Sequence, residues 1–438
     1  MEADLLLAGA RVIDPASRFD RQADVYIRDG YIWDVTPPGE GLPAKEVMDC
    51  AGLVLCPGLI DMHVHLREPG AEHKETVYTG TRAALAGGFT AVCCMPNTDP
   101  PIDRPERVAE LHQILLRDAA CRVYIIAAAV LDRDPQQLSD FRALSEAGAV
   151  AVSDDAMPLQ DMQVMSAALQ KVEEACLPFI AHPELEAAGG AGVVSDHRVA
   201  AALGVSTMAP EREEWGITFW KLAAKQLGRP LDAHLHFAHI STAAAVDAIR
   251  QFRSERTIAQ LTAETCPHYF TLTADAVLEH GPMAKMNPPL RSPNDVEAVK
   301  MGLADGTITV IATDHAPHAA EEKALGVEHA PFGIVGLETA LGLVLTELVW
   351  PGVLSLSDAI AKMSLQPARI LGLPGGRLDI GAPADVTVID PAAEWVVNPS
   401  EFYSKSRNTP FAGRRLRGRP VMVIVGGRVV MRDGEVLV

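Results

Sequence analysis

The feature that most narrows what this chain can become is a regular alternation, through its middle, of strand-length apolar runs with helix-length stretches. The runs Phe89 to Met95, Arg122 to Ala129, Pro178 to Ala181, His234 to Ala238, Ile258 to Glu264 and Thr307 to Ala312 are rich in Val, Ile, Phe and Ala. Helical patterns fill the intervals at Lys74 to Ala86, Arg104 to Leu116, Asp161 to Cys176, Ala243 to Arg253 and Leu337 to Leu348. With the segments leading into His63 and Asp154, the six runs become eight strands in βα order. Parallel neighbours need a crossover helix between them. Eight such units close into a (β/α)8 barrel, whose functional residues project from the C-terminal strand ends.

Those ends carry chemistry. In Gly58-Leu-Ile-Asp-Met-His-Val-His-Leu-Arg-Glu-Pro-Gly70, residues i, i+2 and i+4 of an extended strand share a face, so His63, His65 and Arg67 are expected to aim at one spot. Two neutral imidazoles suit a borderline cation such as zinc, and a guanidinium suits a carboxylate-bearing substrate. Further runs end in His182, His239 and Asp314, and Ala149-Val-Ala-Val-Ser-Asp-Asp155 ends in two carboxylates, of which alternation lets only one point inward. For any one run, a polar residue capping the next loop is explanation enough. Repetition at strand end after strand end points instead to a metal centre.

The two ends of the chain have a different texture. Leu5 to Ile13, Ala23 to Gly30, Tyr31 to Val35, Ala384 to Asp390 and Val421 to Val430 are alternating pieces, with hairpin signals at Asp29-Gly30 and Gly426-Gly427. They predict antiparallel structure, a composite β domain of residues 1–56 and 366–438 around a barrel of residues 57–365. At 438 residues and 48% hydrophobic content, the chain can bury a large core. Its acidic balance of −19 argues against a nucleic-acid or anionic-membrane partner. The opening Met-Glu-Ala-Asp is no signal peptide, and no apolar run reaches membrane-spanning length, so a cytoplasmic protein is expected. The 7 cysteines, an odd number, lack C-x-x-C spacing, which argues against a disulfide scaffold and a thiolate zinc site. Pro183 to Pro210 is the longest loop-like stretch, and Gly189-Gly-Ala-Gly192 suggests mobility or an insertion.

Asp61-Met-His-Val-His-Leu-Arg-Glu-Pro-Gly70, Met95-Pro-Asn-Thr98, Ser153-Asp-Asp155, His239-Ile-Ser-Thr242, Lys285-Met-Asn-Pro-Pro-Leu-Arg-Ser292 and Ala312-Thr-Asp-His-Ala-Pro-His318 together resemble the dihydroorotases of the bacterial type I kind, in the amidohydrolase superfamily. The resemblance covers nearly the whole chain, including a β-sandwich made by its two ends. It implies the reversible cyclisation of N-carbamoyl-L-aspartate to L-dihydroorotate in pyrimidine biosynthesis. It also implies two zinc ions per subunit, with a single metal as the alternative. His63, His65 and Asp314 hold one ion, His182 and His239 the other, and Asp155 bridges them where hydantoinases and allantoinases usually place a carboxylated lysine. Asp154 is then a supporting or capping residue, or the bridge if the two aspartates exchange roles.

By the same resemblance a metal-bridging hydroxide attacks the ring amide, with Asp314 as general acid and base. Arg67, Asn97 and His318 recognise the α-carboxylate, and Asn287 and the backbone of Phe332 and Gly333 contact the ring. Asn287 as a turn residue before Pro288 is the competing reading. Lys285 and Arg291 are read as structural, and His234, His268 and His315 as packing or hydrogen-bonding residues. The chain departs from the pattern at Ala156, where Gly is usual, at Pro183, where Cys is common, and through Glu184 to Trp215. Expected partners are the small-molecule substrate, a second copy in a homodimer and, in some assemblies, aspartate transcarbamoylase. The rivals are a hydantoinase or allantoinase, for which Lys would replace Asp155, and a non-catalytic subunit, for which ligands would be missing.

Overall fold

The computed structural model describes residues 2–155 and 157–438. Five strands open the chain, β1 Ala3–Asp14, β2 Phe19–Arg28, β3 Tyr31–Thr36, β4 Ala44–Asp49 and β5 Val54–Pro57. Eight follow: β6 Leu59–Val64, β7 Phe89–Cys94, β8 Arg122–Ala128, β9 Ala149–Ser153, β10 Phe179–Ala181, β11 Leu231–Phe237, β12 Ile258–Thr265 and β13 Val310–Ile311. The last four are β14 Val386–Val396, β15 Arg415–Val425, β16 Arg428–Arg432 and β17 Glu435–Val436.

Strands β6 to β13 form one eight-stranded sheet in sequence order, each pair parallel, with at least one helix between each successive pair. This is the (β/α)8 barrel that the alternation predicts. Its interior is small and tightly filled: Met62, Cys93, Ile126, Ala151, Ile180 and Val310 each come from a different strand, and Ile370 and Leu371 join the same cluster. The helix Leu365–Leu371 therefore belongs to the barrel's packing, and we propose a unit boundary just after it rather than at residue 366.

The seam between β6 and β13 is closed differently from the other pairs. Val64 and His315 form a single parallel bridge beyond the end of β13, and the His65 amide donates to the His315 carbonyl at 2.9 Å. Asp61 Oδ1 accepts from the Thr313 and His63 amides, at 3.1 Å each. The expected strand Thr307 to Ala312 is reduced to Val310–Ile311 because the preceding residues are held by a helix end: the Ile308 amide bonds to Gly302 and that of Thr307 to Asp305.

The two chain ends share one nine-stranded sheet. Asp29-Gly30 and Gly426-Gly427 make the predicted hairpins, all four residues at positive φ as a type I′ turn requires. The sheet is mixed rather than antiparallel throughout, since β1 runs parallel to β4 and β5. Turn signals identify sequence-adjacent partners only, whereas β4 and β5 return to β1 after β2 and β3 have intervened. The stretch after His182 is less loop-like than expected. Asp196 caps a helix at His197–Leu203, and the Val193 amide bonds to Ser206.

Candidate active site

His63 is the penultimate residue of β6 and fully buried. Its Nδ1 lies 2.6 Å from Glu264 Oε1, to which it donates, and its Nε2 has no hydrogen-bond partner. His65 repeats the arrangement: Nδ1 is 2.8 Å from Asn97 Oδ1, and Nε2 faces Asp314 Oδ1 at 3.2 Å. Asp155, just past β9, reaches both sides of the site, with Oδ1 2.9 Å from His182 Nε2 and Oδ2 3.6 Å from His65 Nδ1. His239 Nε2 is 3.1 Å from His182 Nε2. Asp314 Oδ1 is 3.6 Å from His63 Nε2.

Two groups of side chains have ligand atoms close enough to share one ion, His63 with His182 and His239, and His63 with His65 and Asp155. Among the buried side-chain atoms without a hydrogen-bond partner are His63 Nε2, His239 Nδ1 and Asp155 Oδ2. Native interiors rarely leave such atoms unsatisfied, and all three belong to residues of these two groups, which fits a place for a cation. The electrostatics agree. Burial lowers His63's affinity for a proton, but Glu264, Asp314 and Asp155 outweigh it and push its pKa up to about 10. Burial likewise raises the Asp155 and Asp314 carboxyls, yet the surrounding histidines hold both below the ordinary range, Asp314 at about 2. The site is anionic and short of positive charge. The nitrogen and oxygen donor set suits zinc.

Arg67, Asn97, Asn287, His318, Phe332 and Gly333 line a cavity of about 350 Å³ together with His65, Asp155, His182 and Asp314. Arg67 arrives there by a different route from strand alternation. β6 ends at Val64, and Arg67 sits in a left-handed turn at φ 61°. His239 and Asp314 are also at positive φ, 33° and 47°, a costly backbone geometry for these residues that concentrates at functional sites. Among the described residues Arg67 has no carboxylate within ion-pair distance; its Nε donates to the Pro317 carbonyl at 3.2 Å. His318 Nε2 donates to the Phe332 carbonyl at 2.7 Å, and burial with the Arg67 and Lys74 charges lowers its pKa to about 3. Asn287 Nδ2 donates to Glu184, while its Oδ1 is buried without a partner.

Asp154 supports the site from behind, accepting from the His182 amide at 2.7 Å and the Leu159 amide at 2.9 Å. Position 156 lies outside the described residues. Sequence reasoning passed over Glu264, although it closes an apolar run as the candidate ligands do. It also passed over Glu184 and Arg212, which pair at 2.7 Å on the cavity wall. His315 bonds Glu75, His234 bonds Thr262, and His268 packs edge-on against Tyr269.

Comparison with known proteins places this geometry. The chain is 47% identical to the dihydroorotase of Pelotomaculum thermopropionicum, with 98% of this chain and 99% of that protein aligned. It belongs to the dihydroorotase family. A family model described as dihydro-orotase-like matches residues 52–244. The dihydroorotase of Syntrophotalea carbinolica is 44% identical over 98% of this chain and 99% of its own length. Among solved structures, L-hydantoinase (dihydropyrimidinase) from Arthrobacter aurescens superposes with a TM-score of 0.89 at 26% identity, covering 100% of this chain and 98% of that one. Dihydropyrimidinase from Brevibacillus agri, at 22% identity and a TM-score of 0.83 over 99% and 96% of the two chains, shares the fold. The chain is thus a cyclic amidohydrolase built on the barrel that the family and the hydantoinases have in common.

Proposed function

We propose that this chain catalyses the reversible ring opening of L-dihydroorotate to N-carbamoyl-L-aspartate. The observation that carries the reading is an arginine free of acidic partners among the described residues, lining the same cavity as His65, Asp155, His182 and Asp314 of the candidate metal cluster. A ring amide that also bears a carboxylate fits that pairing. A hydantoin has no carboxylate for Arg67, and the strand end that a hydantoinase would fill with lysine holds Asp155.

His63, His65 and Asp314 would hold one divalent cation, His182 and His239 a second, with Asp155 between them. When bound, such ions lower the pKa of a water and polarise a carbonyl. The chain's residues do the rest. Arg67 anchors the carboxylate, with the Nδ2 group of Asn97 beside it. His318 joins by exchanging the Phe332 carbonyl for a carboxylate oxygen. Asn287 offers Oδ1 to a ring N–H. Asp314 moves the proton, giving it to the departing amide nitrogen in ring opening and removing it from the ureido nitrogen in closure. The reading includes a homodimer in the cytoplasm, alone or with aspartate transcarbamoylase, which sedimentation velocity with and without that enzyme tests. No described helix is long and apolar enough to cross a membrane.

The decisive experiment follows dihydroorotate ring opening by ultraviolet absorbance on purified protein whose zinc is counted in the same sample. Turnover that is lost on chelation and restored by zinc is expected. Metal-replete protein that ignores dihydroorotate but opens hydantoins overturns the reading.

A further inference from the structure

Asn408 belongs to the chain's C-terminal part, between β14 and β15, yet it is buried against the substrate cavity. Its side chain is fully engaged. Oδ1 accepts from the His318 amide at 3.2 Å, and Nδ2 donates to the Ala316 and Gly333 carbonyls at 3.1 Å each. Its own carbonyl accepts from the Val335 amide at 3.0 Å. One amide group thus spans two walls of the cavity, the loop after β13 that carries Asp314 and His318, and the segment that carries Phe332 and Gly333.

Buried Lys323 grips the second wall from its other side. Nζ donates to the Pro331 and Gly333 carbonyls at 2.9 Å and to the Lys285 carbonyl at 3.3 Å. The Gly333 oxygen therefore takes two donors, one for each lone pair. Gly333 itself stands at φ 128°, where a Cβ would lie 2.6 Å from the Ala316 Cβ, so the two walls touch.

We propose that Asn408 is a positioning residue that sets the width of the substrate cavity, tying the wall of Asp314 and His318 to the wall of Phe332 and Gly333, with Lys323 fixing the same Gly333 carbonyl. The proposal rests on the dihydroorotase reading of this cavity. A cavity that is too wide binds substrate and transition state less well by the same factor, which raises KM and spares kcat.

Asn408→Asp keeps the shape and the acceptor for His318 but turns an oxygen toward two carbonyls. Its KM for dihydroorotate rises by roughly tenfold, with kcat within about threefold of the parent and zinc content unchanged. Asn408→Ser, which keeps one donor, falls between, and Lys323→Met shifts KM in the same direction. If Asn408→Asp does not fold, the Ser and Met variants decide. A merely structural role lowers the melting temperature and leaves KM alone; folded, zinc-loaded variants with the parent's KM overturn the proposal. Failure of the parent itself to open dihydroorotate overturns the functional reading and the clamp together, whereas an active parent with unmoved variants overturns the clamp alone.

Discussion

Replacing Glu264 by glutamine tests whether the proposed metal centre depends on the hydrogen bonds behind its histidines. Glu264 is fully buried, with one oxygen 2.6 Å from His63 Nδ1 and the other 3.2 Å from His236 Nε2. Burial raises its carboxyl, but His63 and His236 outweigh that and hold it well below the usual range, so it is ionised in the folded chain. In Glu264→Gln the bond to His63 becomes a neutral one. A charge-assisted hydrogen bond contributes about 1.5–3 kcal/mol and a neutral one about 0.5–1.5, so His63 loses about 1–1.5 kcal/mol of support. His236 can relieve its own side by moving its proton to Nδ1, which already faces Thr262 Oγ1 at 2.8 Å. Weakened attraction between the buried carboxylate and the ion adds to the loss, and zinc affinity is expected to fall about 10–100-fold. Competition with a chromogenic chelator on purified protein measures this, with the melting temperature of the metal-free form recorded alongside. A glutamine variant that folds and keeps zinc within about twofold of the parent would refute the reasoning, since it would make the Glu264 charge irrelevant to His63.

Asp314→Asn leaves a side chain of the same shape that cannot take a proton, and kcat should fall by about 10²–10⁴ while dihydroorotate binding measured by calorimetry changes far less. Arg67→Met removes a charged anchor worth about 1.5–3 kcal/mol, and kcat/KM should drop roughly 10–100-fold; an unchanged value would mean that the carboxylate binds elsewhere. Glu338 accepts from the Tyr403 and Ser404 amides, and burial raises its pKa from an ordinary 4.5 to about 8. Its neutral form is the favoured folded one, so its contribution is full below pH 4.5 and lost as pH rises through 8. Glu338→Gln should therefore flatten the fall in melting temperature across that window, and parallel curves for the two proteins would contradict it.

The barrel was legible because βα alternation depends on local periodicity, and the residues of the candidate metal cluster stood out because they gather at the ends of apolar runs. What escaped the sequence depends on contacts distant along the chain. Glu264 looks like any strand-end carboxylate until β6 brings His63 beside it. Strand phase puts Arg67 on the face of His63 and His65, while the backbone delivers it to the cavity that His65 lines through a left-handed turn that alternation cannot foresee. Glu184 and Arg212 lie in the segment that matches the family pattern less well. Asn408 sits in the C-terminal span assigned as a whole to the β domain, and nothing local ties it to His318, 90 positions earlier.

The seam between β6 and β13 bears on how this protein matures. His63 and His65 stand on one side of it and Asp314 on the other, and the His65 and His315 backbones meet across it. These edges are separated by 249 residues between His65 and Asp314, so they meet only by closing a very long loop, the kind of contact that forms late in folding. A ribosome-bound chain still short of residue 314 lacks one wall of the proposed metal cradle. A metal ion held by these residues would be captured at full affinity only by chains whose barrel is complete, and it would fasten the first strand to the last.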